Sequence, residues 1–160
     1  MPKGRAQEGF MSTRWDLTVY NRDSQLVLVV EVKSKLNATP KWAAQLRRNI
    51  LAHGTFPNAP YFLMAFPDRF YLWKNTGSNH ELLEPTYVID AYPILQPYFE
   101  QSSVTAEQVS GQSLELIIAS WLGEVMHKTP DEVDVAQQWL IETGLYDAVA
   151  GGSLDREVMA

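Results

Sequence analysis

Apolar positions along this chain change rhythm several times, and each change marks an element. Trp15 to Tyr20 alternates apolar and polar residues and is rich in Thr, Val and Tyr, which predicts a strand with one buried face. Asn21-Arg22-Asp23-Ser24 is a turn cluster. Gln25 to Val32 follows as a nearly continuous run of Leu and Val, the pattern of a strand covered on both faces. Together they predict a β-hairpin. Pairing about an Asp23–Ser24 turn sets Asp16 opposite Glu31, within a residue or two.

The rhythm then becomes helical. Thr39 is a suitable N-cap and Pro40 suits the first helical position. Lys41 to His53 has helical composition, with Trp42, Ala43, Leu46 and Ile50 on one apolar face, and Gly54 ends it. Tyr61 to Phe66 and Phe70 to Trp73 predict a second hairpin around Pro67-Asp68. The expected order to this point is β-β-α-β-β.

Asn75 to Glu84 reads as loop. Asp90 to Phe99 predicts a short helix, which Pro93 and Pro97 interrupt. Ser113 to Lys128 is strongly amphipathic through Leu114, Ile117, Ile118, Trp121, Leu122 and Val125. Thr129-Pro130-Asp131-Glu132 has the form of a cap and first turn, predicting a helix to about Ile141, and Leu145 to Ala150 extends or follows it. The expected organisation is one domain: an α/β core over residues 1–104, a helical extension over 105–150 and a frayed tail over 151–160.

Composition adds exclusions. The chain has 160 residues and no cysteine, so disulfides, thiolate nucleophiles and Cys-type zinc sites are all absent. His53, His80 and His127 are far apart, without metal-ligand spacing. No apolar stretch approaches the roughly 20 residues of a membrane span, and residues 1–13 show no secretory signal, so a cytoplasmic protein without membrane partners is expected.

Charge is unevenly spread. Residues 1–75 hold 11 Lys and Arg against 5 Asp and Glu, whereas residues 76–160 hold 2 against 14. Phosphate binding needs local rather than global positive charge, and the first half has it.

The chemistry centres on Asp16, Glu31 and Lys33. Glu31 and Lys33 are two apart on a strand and project from one face, with Asp16 on the partner strand. Two carboxylates at close range repel at the end of an apolar strand. A divalent cation resolves the conflict, and Mg²⁺ takes oxygen ligands of this kind. Without a metal, the same residues would form a sheet-edge salt bridge.

Asp16 … Glu31-Val32-Lys33 resembles the PD-(D/E)xK nuclease superfamily over roughly residues 14–75. Tyr61 to Trp73 also resembles the strand pair of nuclease domains in type I restriction motor subunits. The resemblance implies a restriction-endonuclease-like mixed sheet flanked by helices, and Mg²⁺-dependent hydrolysis of DNA phosphodiesters, with Mn²⁺ able to substitute. It implies Asp16, Glu31 and the Val32 carbonyl as metal ligands, Lys33 as a catalytic cation and Gln45 as a polar contribution from the following helix. Lys35, Lys41, Arg47 and Arg48 would form a DNA-binding rim, although adjacent Arg47 and Arg48 cannot point the same way. Two departures stand out. Trp15 occupies a position where the family often has Pro. Before Asp16 there is little room for the usual acidic helix, of which Glu8 is a possible remnant. Trp42, Trp73, Trp121 and Trp139 are expected in the core or an interface.

Two function classes follow. One is a metal-dependent deoxyribonuclease, an endonuclease acting in a larger assembly or as an oligomer because the acidic half repels DNA. The other is a non-catalytic interaction or DNA-binding protein of the same fold. Its C-terminal helices could bury their apolar faces against a second subunit.

Overall fold

A computed structural model describes residues 15–54, 58–77 and 81–156. Glu8 and His80, named above, lie outside the described residues. Strand β1 (Leu17–Tyr20) and strand β2 (Leu26–Val32) form the expected hairpin. Leu17 faces Val30 and Thr18 faces Val29, so one step outward Asp16 approaches Glu31. The turn is one residue longer than its two-residue reading. Ser24 donates its N–H to the Asn21 carbonyl and adopts a φ of 62°, and the register shifts between Val19 and Tyr20. That bulge absorbs the extra residue and preserves the pairing near the site.

Helix α1 (Pro40–Ala52) crosses over to strand β3 (Tyr61–Ala65), which lies parallel to β2. Thr39 caps it by accepting the Trp42 N–H at 3.0 Å. The helix seats on the predicted face only in part: Ala43 is in the core and Leu46 and Ile50 pack against it, but Trp42 does not follow them inward. Ala43, Ala44, Arg47 and Leu51 are buried, while Leu46 and Ile50 are only half-buried and Trp42 is exposed. The two alanines permit close approach to the sheet, and the Arg47 guanidinium lies 5.7 Å from the centre of the Trp73 ring. The helix is thereby rotated by about one residue from the simple hydrophobic reading.

Strand β4 (Arg69–Lys74) returns antiparallel, and strand β5 (Tyr87–Asp90) adds to it from a segment with no clear strand pattern. Helix α2 (Tyr92–Ser102) is longer than its prolines suggest: Pro93 sits in the first turn, and Pro97 is accommodated on the exposed side. Helix α3 (Gly111–His127) matches expectation closely.

Beyond α3 the expected continuous helix is replaced by two 3₁₀ turns, Pro130–Glu132 and Val135–Gln137, and the short helix α4 (Trp139–Glu142). The Gln138 amide donates to the Val133 and Asp134 carbonyls, at 2.8 and 3.4 Å, competing for acceptors that a helix would use. Helix α5 (Leu145–Val149) follows.

The predicted frayed tail is a strand over Ser153–Arg156, β6, paired antiparallel with β1. Gly152 permits this: a Cβ there would lie 2.0 Å from the Tyr20 carbonyl oxygen. The result is an α/β fold with a six-stranded mixed sheet ordered β5-β4-β3-β2-β1-β6 and flanked by helices.

Each face has its own core. Leu17, Val30, Leu63 and Phe70 pack with Leu114, Ile118 and Trp121 of α3. Val29, Phe62, Met64, Phe66 and Trp73 pack with Ala43 and Leu51 of α1. The helices after residue 105 are therefore part of the main core, and α3 uses its apolar face internally rather than offering it to a second subunit. No helix among the described residues is long and apolar enough to cross a membrane.

Candidate metal and nucleic-acid site

The site stands at the open end of the β1–β2 hairpin, where the ladder stops and side chains replace backbone partners. Asp16 Oδ2 accepts the Val32 N–H at 2.7 Å. This bond pins the carboxylate to the end of β2. Glu31 carries a carboxylate whose side chain is only 12% exposed. Burial, and then the negative charge of Asp16, push its pKa up from 4.5 to about 7; Lys33 and the Asp16 backbone N–H oppose the rise. Lys33 Nζ is 3.9 Å from Glu31 Oε2, on a side chain 42% exposed. The ammonium is near enough to be felt and free enough to reach an incoming anion.

A third carboxylate arrives from far along the chain. Glu115 on α3 is held by Arg156 of β6, Nε to Oε2 at 2.7 Å. Burial raises its pKa, as does the charge of Asp16, while Arg156 lowers it. Neither residue was singled out from the sequence. Arg156 falls in the segment that reads as tail, and Glu115 merely flanks the apolar stripe of α3. The one available signal was the Gly151-Gly152 pair, which lets the chain turn back onto the sheet.

The other predicted residues separate. Gln45 is half-buried on α1 and makes no hydrogen bond to Asp16, Glu31 or Lys33. Lys35, Lys41 and Arg48 are exposed. Arg47 is not on the rim. It is fully buried, donating to Thr76 Oγ1 at 3.1 Å and to the Gly77 carbonyl at 3.5 Å, and desolvation lowers its pKa. A guanidinium enclosed this way cannot meet a phosphate without opening its cover.

Among the described residues, no three His, Asp or Glu groups are placed to hold one ion together. The donor set is thus the paired carboxylates of Asp16 and Glu31, beside Val32. This set fits a hard cation: Mg²⁺ is commonly held by one or two carboxylates, with water and phosphate oxygens completing the shell. The mutually repelling pair, Glu31 largely buried and Asp16 half-buried, is the feature a cation would relieve. Compared with protein-family models, curated proteins and solved structures, the chain finds no match in any of the three.

Proposed function

We propose that the chain is a Mg²⁺- or Mn²⁺-dependent deoxyribonuclease of the PD-(D/E)xK type, hydrolysing DNA phosphodiesters as an endonuclease. The observation that carries this reading is the buried Glu31 carboxyl beside Asp16, with Lys33 at 3.9 Å. The β-hairpin, crossover helix and following strand pair support a restriction-endonuclease-like core around it.

Asp16 and Glu31 would hold the cation, with the Val32 carbonyl as a further ligand. The bound cation supplies Lewis-acid polarisation of the scissile phosphate. The Val32 N–H orients Asp16 and leaves its second oxygen available. Lys33 places a positive charge where negative charge builds on the phosphate. Exposed Lys35, Lys41 and Arg48 contribute backbone attraction without reading sequence. The acidic later half opposes DNA, so the reading includes a larger assembly that supplies affinity.

Plasmid and single-stranded DNA should be cleaved with Mg²⁺ or Mn²⁺, and cleavage should disappear with chelator, with Asp16→Ala and with Lys33→Ala. Metal-independent cleavage, or activity retained in both variants, would remove this site from the reaction.

One observation favours a second reading, a non-catalytic binding protein of the same fold. The Lys33–Glu31 pair partly neutralises the site by itself. Absence of Mg²⁺ and Mn²⁺ binding by calorimetry, with no cleavage, would select it.

A further inference from the structure

Trp42 departs from the burial expected of it. Trp15, Trp73 and Trp121 are buried, but Trp42 is 37% exposed. Its ring is nonetheless firmly placed. Its backbone N–H bonds to Thr39 Oγ1, and its ring meets Phe66 edge-on at 6.0 Å. Phe66 is fully buried and meets Tyr71 edge-on at 5.8 Å, and the Tyr71 hydroxyl donates to the Ala38 carbonyl. An exposed indole is thus braced from behind by the core.

Its position matters as much as its exposure. Phe66 directly follows Ala65, which pairs with Val32 at the end of β2. Val29 lies in the same apolar cluster as Phe66, and strand alternation carries that face forward to Glu31 and Lys33. Trp42 therefore shares both the sheet face and the sheet end of the candidate site.

The surroundings are basic. Lys35 Nζ is 4.9 Å from the centre of the Trp42 ring. Lys35 and Lys41 are exposed, and the first turn of α1 has no acidic residue. Asp68, at the β3–β4 turn, is turned toward the backbone: one oxygen accepts the Asn37 N–H at 3.1 Å and the other is buried. A rigid exposed indole among lysines suits a flat ring joined to a phosphate.

We propose that Trp42 stacks an unpaired base of single-stranded DNA while Lys35 moves from the indole to an adjacent phosphate. This rests on the nucleic-acid reading above and narrows its substrate to single-stranded or locally opened DNA. A base inside a duplex has both faces covered by its neighbours, so only an unstacked one can use the platform.

The test uses the full chain without metal and with chelator, so binding is measured apart from cleavage. Labelled oligothymidylate and a blunt duplex of the same length are titrated by anisotropy and tryptophan fluorescence. The expected results are tighter single-strand binding with quenching, a loss of at least about fivefold in Trp42→Ala, and near-retention in Trp42→Phe. Duplex binding should change little. Lys35→Ala should weaken single-strand binding and make it less salt-dependent. Equal losses for both DNAs, no loss in a Trp42→Ala protein with unchanged thermal melting, or quenching by self-association without DNA would each overturn the proposal. Trp42-dependent binding without metal-dependent cleavage would leave it standing while the nuclease reading falls. Duplex cleavage that ignores Trp42 would do the reverse.

Discussion

The helices on the two faces of the sheet are built on different terms. Helix α3 buries Leu114, Ile117, Ile118, Trp121, Leu122, Val125 and Met126. Helix α1 buries two alanines, one leucine and an arginine, and leaves its first aromatic residue exposed. The first is cover, held by apolar area. The second lies close to the sheet through small residues and tolerates charge beneath it. Glu31 and Lys33 belong to the α1 face, so the charged chemistry and the less apolar helix occur together. Apolar side chains dominate beneath α3, and charged groups gather where the sheet opens, with α3 contributing Glu115 near Asp16.

The largest test of this contrast is Trp121→Ala. Trp121 is 1% exposed, packs against Phe70 at 5.1 Å and donates its indole N–H to Gln137 Oε1 at 2.9 Å. Its removal should cost about 3–5 kcal/mol in urea unfolding, since it leaves both a cavity and an unpaired buried amide oxygen. A loss under about 1 kcal/mol would mean that the α3 face is not the main apolar support.

Glu31→Gln should act in the opposite direction. The folded protein holds the Glu31 proton up to about pH 7 against an ordinary value of 4.5. Between those values the native state binds more protons than the unfolded chain, so stability falls as pH rises. Without metal, the variant should be more stable than wild type by up to about 3 kcal/mol at pH near 8, with the difference vanishing by about pH 4.5. Denaturant curves at both pH values would show it. A pH-independent difference would show that the buried charge is not the cause. Added Mg²⁺ should stabilise wild type and leave the variant behind, if the cation binds there.

Arg47→Met is the smallest effect. Two of the Arg47 guanidinium nitrogens, Nε and Nη1, find no hydrogen-bond partner among the described residues. An apolar side chain of similar length should lie over Trp73 with a change within about 1 kcal/mol, of either sign, because relief of desolvation offsets the bonds lost to Thr76 and Gly77. A loss of several kcal/mol in thermal or urea unfolding would instead make Arg47 an organising residue of α1.

Much of the framework was legible from residue types. The Asn21–Ser24 turn, the alternation of β1, the Thr39-Pro40 helix start and the stripe of α3 are local signals. Each is set by backbone preference or by periodic burial within one segment. The β5 strand and the short turns after Lys128 were not legible, because neighbours and side-chain competition for carbonyls decide them. The seating of α1 was misread in part for a related reason. Hydrophobicity pointed to Trp42, Ala43, Leu46 and Ile50, but the space beneath the helix takes Ala43, Ala44 and an arginine stem most deeply and leaves Trp42 outside.

The site divides in the same way. Asp16, Glu31 and Lys33 could be associated from sequence because one hairpin carries them, and hairpin register follows from its turn. Glu115 and Arg156 could not, since their approach to Asp16 depends on α3 crossing the sheet and on a glycine pair returning the chain to its edge. Only the tertiary structure decided that Arg47 is enclosed and Trp42 exposed. Sequence patterns specify which faces an element can present; packing against the remaining elements selects the one that is buried.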